Sequence, residues 1–183
     1  MNISTPVRNK IKRDILLDDR EIIKASQVVA LRLDEYLDKL KAIIKSNLSK
    51  LKEDKHQSKL HGLAWVATYV ESLKQMSIWA DRLLENGSFS KTERIILLLS
   101  FNEYLNQIFG GIIMSQGEII RPVDLDYRKL ALEKLNCKEV LFFKDEVDAD
   151  LLRSELIDLI IQNESTSFIG NDGLNEDQRM IRQ

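Results

Sequence analysis

The chain has 183 residues and a mass of 21.2 kDa; 44% of its residues are hydrophobic and its formal net charge is -2. These values suit a single domain with a buried core, exclude a disordered chain, and do not favour nucleic acid as a partner. Glycine and proline are scarce, at 7 and 2 residues, which favours an all-α fold with few turns.

We expect a cytoplasmic protein without a membrane span or a metal site. The single cysteine, Cys137, cannot form an internal disulfide and suits a reducing compartment. The first residues lack the apolar core of an export signal, and no stretch reaches the roughly 18 uninterrupted apolar residues of a spanning helix. His56 and His61 are the only histidines, and their spacing is not that of metal ligands.

Charge is distributed unevenly along the chain. Residues 1–56 hold 13 basic and 9 acidic side chains, whereas residues 137–183 hold 5 basic and 11 acidic ones. Two solvated helix faces would explain this asymmetry, and so would ends that attract each other or a partner.

The first predicted helix follows a frayed or disordered start at residues 1–17. Asp18 and Asp19 supply its N-cap and favourable charge at its first turn. Apolar residues then recur at steps near three and four and predict one buried stripe; its members are Ile22, Val29, Leu33, Tyr36, Leu40 and Ile43. The pattern fades in the polar run 46–56.

The second predicted helix runs from about Ser58 to Glu85 and stops at Asn86-Gly87. It carries two neighbouring apolar stripes and therefore should lie between other helices, as the long central helix of a bundle. One stripe is Leu63, Val66, Val70, Leu73, Ala80 and Leu84, interrupted by Ser77; the other is Trp65, Tyr69, Met76, Trp79 and Leu83.

A capping box of Ser90 and Glu93 predicts the start of a third helix. This helix is apolar nearly all round between Ile95 and Leu99, so it needs cover on most sides, from this chain or from another.

The stretch from Gly110 to Pro122 concentrates three of the seven glycines and one of the two prolines. Gly110-Gly111 either ends the third helix or allows a close neighbour such as Trp65 or Trp79. A phosphate-binding loop is disfavoured because the lysine and hydroxyl residue of the Walker spacing are missing.

The remaining elements are predicted from shorter signals. Residues 125–135 suggest a short helix that ends at Asn136, residues 139–143 a short extended segment, and Asp148 the cap of a further helix. We therefore predict a helical bundle of about four to six helices over residues 18–163. Residues 164–183 are predicted to be a linker and the first turn of a following domain.

Three segments together resemble a known family. They are Gly-Leu-Ala-Trp-Val-Ala-Thr-Tyr-Val-Glu at 62–71, Glu-Tyr-Leu-Asn-Gln at 103–107 running into Gly-Gly, and Met-Ser-Gln-Gly-Glu-Ile-Ile-Arg-Pro at 114–122. This pattern resembles the N-terminal helical extension of flavin-dependent acyl-CoA dehydrogenases of the methylsuccinyl-CoA dehydrogenase type. The likeness covers residues 57–124 well and the remainder loosely.

The resemblance implies an accessory domain of an FAD-dependent oxidoreductase. In the family, the catalytic glutamate and the flavin and acyl-CoA sites belong to a later catalytic body. These segments have no counterpart here, so no catalytic, cofactor-binding or metal residue is carried over to this chain. FAD is implied for the parent enzyme, and the implied partner is the catalytic body or a second copy.

The polar and glycine residues within the three motifs are the candidate site. We predict that they form a hydrogen-bonded network that fixes the Gly110 to Pro122 corner and presents it to another domain or subunit. A wall of an acyl-CoA pocket is the alternative. The candidate residues are Tyr69, Glu71, Glu103, Tyr104, Gln107, Gly110, Gly111, Ser115, Gln116 and Arg121.

Two other functions are compatible with the sequence. A stand-alone module could homodimerise through the apolar faces of the second and third helices. An enzyme acting alone is the weakest hypothesis, because the sequence offers no nucleophile, base or metal set.

Overall fold

The structure is a computed structural model that describes residues 17–48, 57–125, 128–162 and residue 180. As predicted, the described residues form a mostly all-α helical bundle. Its elements are α1 (Asp19–Leu48), α2 (Gln57–Glu85), α3 (Lys91–Gly110), β1 (Ile112–Ser115), β2 (Glu118–Ile120), α4 (Arg128–Leu135), α5 (Lys138–Leu141), a π-helical turn (Phe142–Glu146) and α6 (Ala149–Ile161). Of the predicted frayed start at residues 1–17, only Leu17 is among the described residues. Of the predicted linker at residues 164–183, only Met180 is described, and it belongs to none of these elements.

Helix α1 begins as predicted and buries one stripe. The Asp18 carboxylate accepts a hydrogen bond from the Glu21 backbone N–H at 2.7 Å, and Glu21 accepts one from the Asp18 N–H at 3.0 Å. This reciprocal pair satisfies two of the amides that a helix start leaves free. The predicted stripe is buried up to Leu40, after which Ile44 replaces Ile43 as the buried residue.

Helix α2 packs between α1 and α3. Its predicted stripe is interrupted by Ser77, and the structure shows why a serine is tolerated there. The Ser77 hydroxyl is 2% exposed and lies 2.8 Å from the hydroxyl of Ser26 on α1, which also donates to the Ile23 carbonyl at 2.7 Å. Because each buried hydroxyl has a partner, neither carries the cost of an unsatisfied polar group.

Helix α3 is buried on nearly all sides by this chain itself. The predicted capping box is present, and Glu93, which completes it, is fully buried. Neighbours of α3 are α2, the hairpin strand β1, the π-helical turn and α6. The chain therefore supplies the cover that this apolar helix was predicted to need.

The Gly110 to Pro122 stretch contains a helix end and a β-hairpin. Gly111 caps α3 with φ of 139°, and its N–H donates to the Gln107 carbonyl at 2.8 Å. The helix-end alternative is thus correct, while a close Trp65 or Trp79 is wrong, since Ile119 and Arg121 face Gly111 instead. Strands β1 and β2, which the sequence analysis did not predict, pair antiparallel with Ile112 opposite Ile120.

The predicted extended segment near residues 139–143 is wrong. Residues 138–141 are α-helical and residues 142–146 form the π-helical turn. The buried Asn102 amide on α3 donates to the Phe143 carbonyl at 2.9 Å and lies 3.3 Å from the Lys144 carbonyl, so it satisfies acceptors that this turn leaves free. A short apolar run does not distinguish a strand from a buried helical turn, and here packing on α3 selects the helix.

The last described helix starts as predicted. The Asp148 carboxylate accepts a hydrogen bond from the Leu151 N–H at 3.1 Å, and Leu152 and Leu159 are buried. Among the described residues, no helix is both long and apolar enough to cross a membrane.

The hairpin packs closely against α2 at Gly62. This close contact leads to a prediction about stability. An ideal Cβ on Gly62 would lie 2.4 Å from Ile120 Cγ1, whereas one on Gly110 would meet nothing within 4 Å. We expect Gly62→Ala to lower the free energy of unfolding by about 1–3 kcal/mol through overpacking. Gly110→Ala is the matched control and should be neutral or stabilising, by up to about 1 kcal/mol. Urea unfolding followed by circular dichroism measures both; equal stability of the two variants contradicts the close packing.

Tyr36 makes the stability sensitive to alkaline pH. Burial raises the pKa of Tyr36 to about 12, and the side chain is 1% exposed. Above pH 10 the unfolded chain loses this proton while the folded chain keeps it, so stability present below pH 10 is lost as pH rises towards 12. We expect a loss of about 2 kcal/mol at pH 11.5 from this residue. Urea unfolding of the wild type and of Tyr36→Phe at pH 9 and 11.5 tests it, because the variant should lack this part of the loss.

Candidate functional site

A groove of about 630 Å³ lies between α2, α3 and α6. Its apolar lining comes from Met76, Trp79, Leu99 and Tyr104, and its polar lining from Ser72, Gln75, Arg82, Ser100, Glu103 and Arg153. A concave apolar surface with a few polar groups around it is the usual form of a binding site. We therefore take this groove, with the polar contacts beside it, as the candidate functional site.

A chain of polar contacts links the three helices that form the groove. The Tyr69 hydroxyl donates to Gln107 Oε1 at 2.6 Å, and Gln107 Nε2 donates to Glu103 Oε1 at 2.8 Å. The other Glu103 oxygen accepts a hydrogen bond from Arg153 Nη2 at 3.0 Å. Both carboxylate oxygens of Glu103 are thus engaged, and this geometry holds the glutamate as a structural acceptor.

Aromatic rings continue this contact chain along α2. The Tyr69 and Tyr104 rings stack with centroids 4.5 Å apart, and Trp65 meets Tyr69 edge-on at 6.2 Å. Trp65 Nε1 donates to His61 Nε2 at 3.0 Å, which gives this exposed histidine a partner. Burial raises the pKa of Tyr69, and the neighbouring Tyr104 and Glu103 raise it further, so Tyr69 remains a neutral hydrogen-bond donor.

The structure brings together four of the ten predicted site residues and separates the rest. The four that meet are Tyr69, Glu103, Tyr104 and Gln107. Glu71 lies on α2 but bonds to Gln75 at 2.7 Å and pairs with Lys74 at 3.9 Å. Gly110, Gly111, Ser115, Gln116 and Arg121 lie at the hairpin.

The hairpin residues have their own, local contacts. The Arg121 backbone N–H donates to Asp124 Oδ2 at 2.8 Å, and the Arg121 guanidinium lies 3.7 Å from the same oxygen. Ser115 and Gln116 are exposed on the hairpin. Within the described part of the chain, only the backbone bond from the Gly111 N–H to the Gln107 carbonyl connects this group to the Tyr69 group, and no side-chain hydrogen bond does. The interface role of the ten residues stays a prediction.

Arg153 is not among the site residues predicted from the sequence, and the sequence pattern predicts Trp79 to be a core residue. Arg153 is 50 residues from Glu103 in the chain, so no local pattern could have paired them. Trp79 stands on the second apolar stripe of α2, which the structure leaves only half-buried along the groove. The stripe pattern was visible in the sequence, but its exposure depends on where α6 packs.

The described side chains around the groove suit a binding surface. The glycine-rich stretch does not suit a phosphate-binding site. The glycines from Gly110 to Gly117 follow the C-terminal end of α3, whose partial negative charge repels phosphate. This stretch therefore does not fit the pyrophosphate of FAD. Among the described residues, no group of three or more His, Cys, Asp or Glu side chains could hold a metal ion.

The chain of polar contacts from Tyr69 to Arg153 leads to a prediction about stability. We expect Tyr69→Phe to lower the free energy of unfolding by about 0.5–1.5 kcal/mol, because Oε1 of the half-buried Gln107 loses the hydrogen bond from the Tyr69 hydroxyl. Arg121→Ala is the control: its ion pair with Asp124 is exposed, so the loss should stay below about 0.5 kcal/mol. Thermal and urea unfolding compare the two variants. If Arg121→Ala costs more than Tyr69→Phe, the hairpin contacts, and not the polar chain, stabilise this region.

Comparison with known proteins shows that the sequence of this chain is similar to part of an enzyme. No protein-family model matches it. The chain is 38% identical over 133 residues to a (2S)-methylsuccinyl-CoA dehydrogenase from Cereibacter sphaeroides, a match that covers 70% of this chain and 23% of that enzyme. The chain therefore spans less than a quarter of the curated relative. The resemblance inferred from the three motifs is confirmed: this chain is similar to a fragment of an acyl-CoA dehydrogenase.

Proposed function

We propose that the chain is an accessory helical part of an acyl-CoA dehydrogenase-like flavoprotein, and that it packs on the catalytic body or its dimer partner without itself being catalytic. The observation that carries this proposal is the 38% identity over 133 residues to 23% of a (2S)-methylsuccinyl-CoA dehydrogenase. FAD belongs to the proposed parent enzyme, and acyl-CoA oxidation takes place in its catalytic body.

The contacts of the described residues support a non-catalytic role. A general base, most often a histidine or a carboxylate, must be within reach of the substrate proton that it removes. Glu103, the acidic residue of the groove, is held by Gln107 and Arg153 through both of its oxygens. The glycine-rich stretch sits at the wrong end of a helix for a dinucleotide.

The geometry weakens the alternative of a module that dimerises through the apolar faces of α2 and α3. Those faces pack against α1, the π-helical turn and α6 within the same chain. On the groove side of this helix pair, Met76, Trp79 and Tyr104 are partly exposed, and Leu60 and Ile78 on α2 are exposed outside the groove.

A chimera tests the proposal. This chain replaces the matched segment of the Cereibacter sphaeroides dehydrogenase, and a second protein lacks the segment altogether. We expect the chimera to retain FAD and the oxidation of (2S)-methylsuccinyl-CoA with greater thermal stability than the deleted protein, because the accessory part covers surface of the body. A chimera no more stable or active than the deleted protein contradicts the proposal.

Flavin content and mass of the isolated chain provide a second test. We expect a colourless protein without stoichiometric FAD, since the flavin site is proposed to lie in the catalytic body. Absorbance and light scattering after size exclusion measure both properties. Bound FAD contradicts the assignment of the flavin site to the body, and a tight dimer favours the stand-alone module.

A further inference from the structure

Helix α6 has two apolar faces, and only one of them is buried. Leu152 and Leu159 are 8% and 7% exposed and Leu156 is half-buried, so these leucines join the core. On the other side, the isoleucine face consists of Ile157, Ile160 and Ile161, which are 56%, 60% and 72% exposed. A helix with apolar residues on two sides is normally covered on both, and contiguous exposed apolar residues mark interaction surfaces.

The isoleucine face continues the groove. Arg153 lines the groove, and Ile157 follows it by four residues, about 40° round the helix. Ile160 follows Arg153 by seven residues and returns to within about 20° of it. The groove and the isoleucine face are therefore neighbouring parts of one surface, which we call the α6 surface.

The side chains of the α6 surface are those typical of protein interfaces. Met76, Trp79 and Tyr104 provide large apolar groups in the groove, and Arg82 and Arg153 provide cations. Aromatic residues, methionine and arginine are enriched at interfaces and in their energetic centres. Arg153 is already paired with Glu103, whereas Arg82 makes no ion pair with any described residue. The surface thus suits an apolar protein face that carries a carboxylate opposite Arg82.

Size argues against a second free copy as the partner. Helix α6 has 13 residues, so the isoleucine face is at most about 20 Å long and 10 Å wide. With the groove, the area is roughly 400 Å² on this chain, about half of the 800 Å² that a stable complex of two free proteins buries per partner. A covalently connected partner needs less area, because the connection supplies a high effective concentration.

The α6 surface lies beside the point at which the chain leaves α6. The chain continues for 21 residues beyond Gln162, the last residue of the described α6 region. In the Cereibacter sphaeroides relative, the matched segment is 23% of one longer polypeptide. We propose, building on the proposed function, that the α6 surface docks on the catalytic body of the acyl-CoA dehydrogenase-like protein.

Hydrogen exchange of the isolated chain and of the chimera described above tests this docking. We expect amides of α6 to exchange at least tenfold more slowly in the chimera, while amides around Leu31 on α1 keep their rate. The double variant Ile157→Glu/Ile160→Glu should abolish the slowing. Leu31→Glu is the matched control, because Leu31 is 60% exposed like Ile160 but lies on α1 and does not line the groove, and it should retain the slowing.

Three other outcomes overturn the inference. Equal exchange in the chimera and the isolated chain shows that the body does not cover α6. Slow exchange of the α6 amides in the isolated monomer identifies residues 163–183 as the segment that covers the α6 surface. Slow exchange that appears only when the isolated chain dimerises identifies a second copy as the cover. FAD content and methylsuccinyl-CoA oxidation report separately on the proposed function: an active chimera with unprotected α6 overturns only the docking, and an inactive chimera with protected α6 overturns only the proposed function.

Discussion

The burial of α3 is the constraint on which the rest of this structure depends. A helix that is apolar nearly all round loses stability wherever it meets water, so every side of it requires a neighbour. The chain places α2, the hairpin, the π-helical turn and α6 around it. The position of α6 then creates the groove, because Arg153 reaches Glu103 from the side that α2 and α3 leave open.

Several polar groups inside this assembly have a defined partner. Asn102 satisfies the carbonyls of the π-helical turn, and the Ser26 and Ser77 hydroxyls bond to each other between α1 and α2. Such pairs add little net stability, but leaving one partner out costs about 1–3 kcal/mol. They therefore select one relative placement of the helices among the many that apolar packing alone would allow.

The same packing separates the interior from the surface proposed to meet another protein. The hairpin closes one end of the bundle through the contact of Ile120 with Gly62, and its local hydrogen bonds do not involve the groove. The groove and the isoleucine face remain open on the side of α6. The proposed accessory role in a larger flavoprotein would explain why a chain with a well-covered core still presents this apolar surface.

The amino-acid sequence was enough to predict the helices whose signals are local: the capping box at Ser90, the cap at Asp148, and the stripes of α1 and α2. It also identified the motifs that connect the chain with the dehydrogenase. It did not reveal the hairpin, because two strands of four and three residues carry too short a pattern, and it assigned residues 139–143 to the wrong class. Which polar residues meet could be seen only in the folded chain, since the contacting side chains come from three helices and are up to 50 residues apart; they are Tyr69, Gln107, Glu103 and Arg153. Periodicity shows which face of a helix is apolar, but whether that face is covered depends on long-range packing, as the two faces of α6 demonstrate.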